Sequence, residues 1–155
     1  MSPQKNAQYK AYSIATRTVA KTRQIVMLYD GAIRFLKQAQ VASAENRIED
    51  RFRLLVRASD IIVGLQSSID FDNGGEVAQT LNKFYTNISM RILLVNSRPK
   101  EAVVLCEEII GEIKQMRDVW DTIDSSMSTT EAPVTAAAVS SGNTAASSGN
   151  VTFSA

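Results

Sequence analysis

Residues 102–123 read AVVLCEEIIGEIKQMRDVWDTI, with apolar side chains at Ala102, Cys106, Ile109, Ile113, Met116, Trp120 and Ile123. Steps of four and three alternate over three heptads, which is the a/d seam of an α-helix with one buried face. Trp120 is expected inside a core on this pattern.

The same period extends upstream. Ile25, Leu28, Tyr29, Ala32, Phe35, Leu36, Ala39 and Ala42 form one broad stripe, which 45–47 (Glu-Asn-Arg) interrupts. Ile48, Phe52, Leu55, Ala58, Ile62, Leu65 and Ile69 form a second, and Val77, Leu81, Phe84, Ile88, Ile92 and Val95 a third. Between them, Asn73 followed by Glu76 has the spacing of a capping box, and Pro99 suits the first turn of the last helix. Short connections between helices of about 20 residues make neighbours antiparallel. The predicted fold is all-α: an up-down-up-down four-helix bundle over residues 22–124. An N-terminal arm, 1–21, precedes it and a low-complexity tail, 125–155, follows.

Each flank is assigned on composition. In 1–21, Tyr9, Tyr12, Ile14 and Val19 form no sustained stripe, so the segment reads as a strap on the bundle or a detachable cover over a groove. In 125–155, thirteen of 31 residues are Ser or Thr and seven are Ala, too little apolar surface to offset the entropy of ordering. That tail is expected to be disordered.

Composition removes whole classes of chemistry. The 155 residues include no histidine, which excludes Ser-His-Asp and Cys-His catalysis, histidine phosphotransfer and Glu-x-x-His di-iron sites. A single cysteine, Cys106, excludes an internal disulfide and multi-cysteine zinc, and its place on the seam makes it a small core hydrophobe. Asp70, Asp72 and Gly75 mimic the start of a calcium loop, but its twelfth position is Leu81 where glutamate is needed. Glu107, Glu108 and Glu112 fit a solvated helix face better than a metal site. No phosphate-binding glycine loop occurs, and neither an enzyme nor a cofactor is expected. No apolar run approaches the length of a signal-peptide core or a membrane span, so the expected location is the cytoplasm.

Charge is unevenly distributed. Residues 1–57 carry eleven Lys/Arg against four Asp/Glu, whereas 58–124 carry six against eleven. The expected explanation is two complementary faces of one bundle, because no nucleic-acid recognition motif accompanies the basic half.

Several motifs together resemble one known family. These are Tyr9-Lys10-Ala11-Tyr12, the run Met27-Leu28-Tyr29-Asp30-Gly31-Ala32-Ile33-Arg34-Phe35, the turn from Asp70 to Gly75-Glu76, Leu81 with Phe84-Tyr85, and Trp120. In that order they resemble the flagellin-specific export chaperone family, FliS, over residues 6–124. The resemblance implies a four-helix bundle that binds the disordered C-terminal region of flagellin in the cytoplasm. It would hold flagellin unpolymerised and help deliver it to the flagellar type III export gate, without ATP or metal. The implied partners are the flagellin C-terminal segment, an export gate component and other flagellar assembly regulators, with no nucleic acid and no membrane insertion. The expected partner-binding residues are Tyr9, Tyr12, Ile14, Met27, Tyr29, Leu81 and Tyr85. In the family the N-terminal arm shifts when flagellin binds, which favours the detachable cover. The tail is longer than a typical member's, and 21–24 (Lys-Thr-Arg-Gln) lacks the usual cap before the first helix. A helical adaptor or dimerisation module for folded partners is the alternative reading, and a nucleic-acid binder a third.

Overall fold

The computed structural model describes residues 3–130, with side chains at Asn6, Lys10 and from Lys21 to Thr129. It contains four helices: α1 (Pro3–Ala44), α2 (Ile48–Ser67), α3 (Gly75–Ser97) and α4 (Ala102–Thr130). Each packs on its neighbours around a square: α1 on α2 and α4, and α3 on the same two. This is the antiparallel up-down bundle that the periodicity predicts.

Two boundaries differ from expectation. The backbone does not break near Thr22; α1 is one helix of 42 residues. From residue 4 to 30 the chain has neither Gly nor Pro, so a helix nucleated in the bundle has nothing to stop it until Pro3, at its first turn. At the other end α4 continues through 125–130, into the stretch assigned to the tail. Residues 131–155 lie outside the described residues.

The connections show how each helix stops. Asn46 adopts φ 55°, Arg47 N–H bonds the Ala42 carbonyl at 2.8 Å, and Asn46 N–H bonds that of Ser43 at 3.2 Å. This is a Schellman stop with asparagine in the left-handed position, which it tolerates better than most side chains. Between α2 and α3, the Asp70 carboxylate accepts the N–H groups of Asp72 and Asn73 at 3.1 Å and the Asn73 side-chain amide at 2.8 Å. These bonds hold the Asp70 carboxyl below its usual range, the Asn73 side-chain bond most strongly. Asn73 is therefore taken up by the turn, and the capping box with Glu76 does not form: the N-cap of α3 is Gly74, with no side-chain cap. Both glycines are required. A Cβ on Gly74 would sit 2.5 Å from the Asp70 carbonyl, and Gly75 has φ 51°. Pro99 stands three residues before α4, in a turn closed by Glu101 N–H on the Arg98 carbonyl at 3.0 Å, so it shapes the turn rather than the helix.

The core is built from Tyr29, Leu36, Leu55, Ile62, Ile88, Ile92, Ile109 and Ile113, with Ala32, Ala39, Ala58 and Ala102 where helices approach closely. The predicted stripes hold at their centres and slip at their ends. Ile48 and Phe52 of α2 are exposed while Arg51 is buried, and Val77 of α3 is exposed while Ala78 is buried. Cys106 is fully buried, and burial pushes its thiol up to about 11, the state of an inert core residue.

Candidate functional site: an apolar trough between α3 and α4

The seam of α4 closes from Ala102 to Ile113 and then opens. Met116 and Trp120 are only partly buried, Ile123 is exposed, and the next residue, Asp124, turns inward. Facing this open stretch is the first half of α3. Val77, Thr80 and Leu81 on α3 and Met116, Val119, Trp120 and Ile123 on α4 line a trough whose exposed walls include Val77 (68%) and Val119 (55%). Toward the end of the bundle it runs past Trp120 and Leu81 onto Ile25, Leu65, Ile69 and Tyr85. In the other direction Met116 and Val119 carry it on to Phe84 and Gln115. The three hollows adjoin through shared lining: Val77, Leu81 and Trp120 on one side, Met116 and Val119 on the other.

Behind the trough lies a polar pair. Tyr29 on α1 and Tyr85 on α3 meet across the bundle diagonal with their hydroxyls 2.5 Å apart and their rings 6.4 Å apart. Both are almost fully enclosed, at 0% and 3% exposure. Burial raises both phenols above their ordinary range. The bond between them raises Tyr29 further and lowers Tyr85 somewhat, while a bond from Trp120 lowers Tyr29. The tyrosines are thus neutral hydrogen-bonding groups fixed behind Trp120, and Phe84 packs edge-on to Tyr85 with centroids 5.5 Å apart.

The predicted partner-binding residues separate into four groups. Leu81 lines the trough and Tyr85 its floor. Tyr29 is enclosed behind that floor. Met27 is 63% exposed but stands on another flank of α1, between Arg23 and Asp30, which pair with α4. Tyr9, Tyr12 and Ile14 fall within α1, and their side chains lie outside the described part.

Sequence reasoning missed Val119 and Asp124. Val119 is off the seam, yet 116, 119 and 123 repeat at helical spacing and mark a second apolar stripe beside it. Asp124 is buried, accepting a hydrogen bond from Thr22 at 2.8 Å and lying 3.6 Å from Arg23. No periodicity argument finds a buried carboxylate, because it is satisfied by individual partners rather than by a pattern. The α4 glutamates also have a structural role: Glu108 and Glu112 hold Arg91 of α3 between them.

Comparison with known proteins places the chain in a family. The family model for the flagellar protein FliS matches residues 2–127. A flagellar secretion chaperone FliS from Campylobacter jejuni is 31% identical over 118 residues, 76% of this chain and 91% of the relative. Its namesake from Vibrio cholerae is 30% identical over 117 residues, covering 74% and 85%. The Salmonella typhimurium protein of that name is 28% identical over 110 residues, covering 70% and 80%. The family match across residues 2–127, together with these relatives, leads to one conclusion: this chain belongs to the FliS family.

Proposed function

We propose that this protein is a cytoplasmic export chaperone that receives an amphipathic segment from the C-terminal region of flagellin in the α3–α4 trough. The observation that carries the reading is the opened seam: Val77, Val119 and Ile123 present apolar surface to solvent along two helices, at a spacing suited to anchors at i, i+3/i+4 and i+7. Flagellin's terminal segments are amphipathic and polymerise when their apolar faces meet, so a chaperone must cover those faces. It needs only surface for this, with no chemistry. Leu81 contacts the client from the wall, while Tyr85 and Tyr29 hold the floor in place from behind. The client orders as it binds, so affinity comes from a large buried area and remains releasable at the flagellar type III export gate.

Tyr9, Tyr12 and Ile14 act on the same trough only if α1 breaks. In a continuous helix Tyr9 lies about 24 Å along the axis from Ile25 at the trough's end. The cover reading therefore requires residues 1–20 to leave the α1 axis, and the client competes with that alternative.

Calorimetric titration of a flagellin C-terminal peptide tests the proposal. Val77→Asp/Val119→Asp changes two exposed side chains, so the bundle should melt as wild type does while affinity falls at least about tenfold. Unchanged affinity in a folded double variant would move the client to another face. Concentration-dependent self-association that this variant abolishes, with no peptide binding in wild type, would favour the dimerisation module.

A further inference from the structure

The opposite face of the square, between α1 and α2, has different chemistry. Antiparallel packing places Arg34 and Arg57 over the Phe35 ring, their guanidinium carbons 5.4 and 5.7 Å from its centroid. Further along, Val41 and Leu54 floor a groove edged by Lys37 and Arg53. Asp50 is the acid in that lining, and it is already bonded by both Arg47 and Arg53. Among the described residues no carboxylate pairs with Arg34, Lys37 or Arg57.

The acidic half of the chain does not neutralise this face. On α4, Glu108 and Glu112 are taken by Arg91, while Asp121 and Asp124 face Arg23. The remaining pair between α1 and α4 joins Asp30 to Arg117. Complementary faces therefore explain α1 against α4 but leave Arg34, Lys37 and Arg57 of the α1–α2 face without a carboxylate among the described residues.

We infer that the α1–α2 groove is a docking site for an acidic amphipathic segment of a partner protein, distinct from the client trough. The aliphatic floor takes the segment's apolar face. Cations on both edges, Arg34 and Lys37 three residues apart on α1 and Arg53 and Arg57 four apart on α2, take carboxylates flanking that face. Nucleic acid fits less well. A phosphate backbone has no use for a Val/Leu floor, and both Arg side chains already cover the one aromatic ring that could stack on a base. Because this face lies across the bundle from α3–α4, client and acidic partner can be held together. The separation of the two sites rests on the client occupying the α3–α4 trough, whereas the charge and floor of this groove stand without it.

The test uses the full chain and a synthetic helical peptide with leucines at i, i+4 and i+7 flanked by glutamates. The expected result is saturable binding that weakens as salt rises. Binding should be lost when lysines replace the glutamates and weakened at least about tenfold by Lys37→Glu/Arg57→Glu. Lys37→Gln/Arg57→Gln should fall between, and Val77→Asp/Val119→Asp should bind as wild type does, which separates this site from the trough. Both residues are exposed, and a far-UV melt confirms that each variant folds. Equal binding of the lysine peptide, an unaffected charge-reversal variant, or no binding to folded wild type would overturn the inference. Tighter binding of a single-stranded RNA oligonucleotide, lost in the same variant, would overturn it in favour of a nucleic-acid surface.

Discussion

Helix α4 carries one seam with two fates. From Ala102 to Ile113 its apolar positions are enclosed, with alanines on α1 and α2 letting the helices close in and isoleucines on α3 filling the centre. From Met116 to Ile123 the same spacing continues, but opposite it stands the first half of α3 with Val77 exposed, and Trp120 and Ile123 keep a face to solvent. Identical periodicity thus yields a core in one half and a candidate binding wall in the other. What differs is the partner across the gap, and sequence spacing alone does not encode that.

The closed half should respond most to truncation. Ile113→Ala removes a fully buried side chain from a packed centre and should cost about 2–5 kcal/mol, read from a denaturant melt as a lower midpoint at unchanged slope. Client affinity, measured where the variant is still folded, should hold near the wild-type value. A cost under about 1 kcal/mol would mean the closed half is looser than its packing indicates.

The open half should show a smaller stability cost and a larger binding cost. Trp120 is partly buried, so Trp120→Ala should cost about 2 kcal/mol, below the about 3–5 kcal/mol typical of a fully enclosed aromatic. Because Trp120 forms part of the trough wall, flagellin peptide affinity should also fall by about 1–2 kcal/mol, the scale of a lost aromatic anchor. A full core penalty with unchanged affinity would place Trp120 with the closed half and contradict the comparison.

The same contrast sets how much was legible in advance. Period and turn residues fixed four helices, their order and the enclosed centre, since a 3.6-residue repeat reports one face per helix. They did not distinguish a closed stretch of a seam from an open one, so Val77, Phe52 and Ile123 were expected inside and are exposed. Arg51 and Asp124 failed in the opposite sense: charged residues that go inside do so through individual partners or local crowding, which leave no periodic trace. Of the candidate site, Leu81 and Tyr85 were found through motif resemblance. Val119 was visible as a stripe at 116, 119 and 123, but a single-seam reading passes over it.

The smallest expected effect lies where the two halves join, at the Tyr29–Tyr85 pair. Their shared hydrogen bond, 2.5 Å between oxygens, is buried behind the trough, so Tyr85→Phe should cost about 1 kcal/mol at neutral pH. The pair also gives the bundle an alkaline signature. Both phenols are raised in the fold, mainly by burial, above the value of about 10 that they have in the unfolded chain. Below pH 10 both states keep the proton and the pair contributes no pH dependence. Above it the unfolded chain loses protons that the fold retains, so stability must fall as pH rises further. Thermal melts at pH 8 and pH 11 should therefore differ more in wild type than in Tyr29→Phe/Tyr85→Phe, because lysine titration is common to both proteins and cancels in the comparison. Equal alkaline losses would mean that solvent reaches the hydroxyls through the trough. The floor behind Trp120 would then belong to the open half of the molecule rather than the closed one.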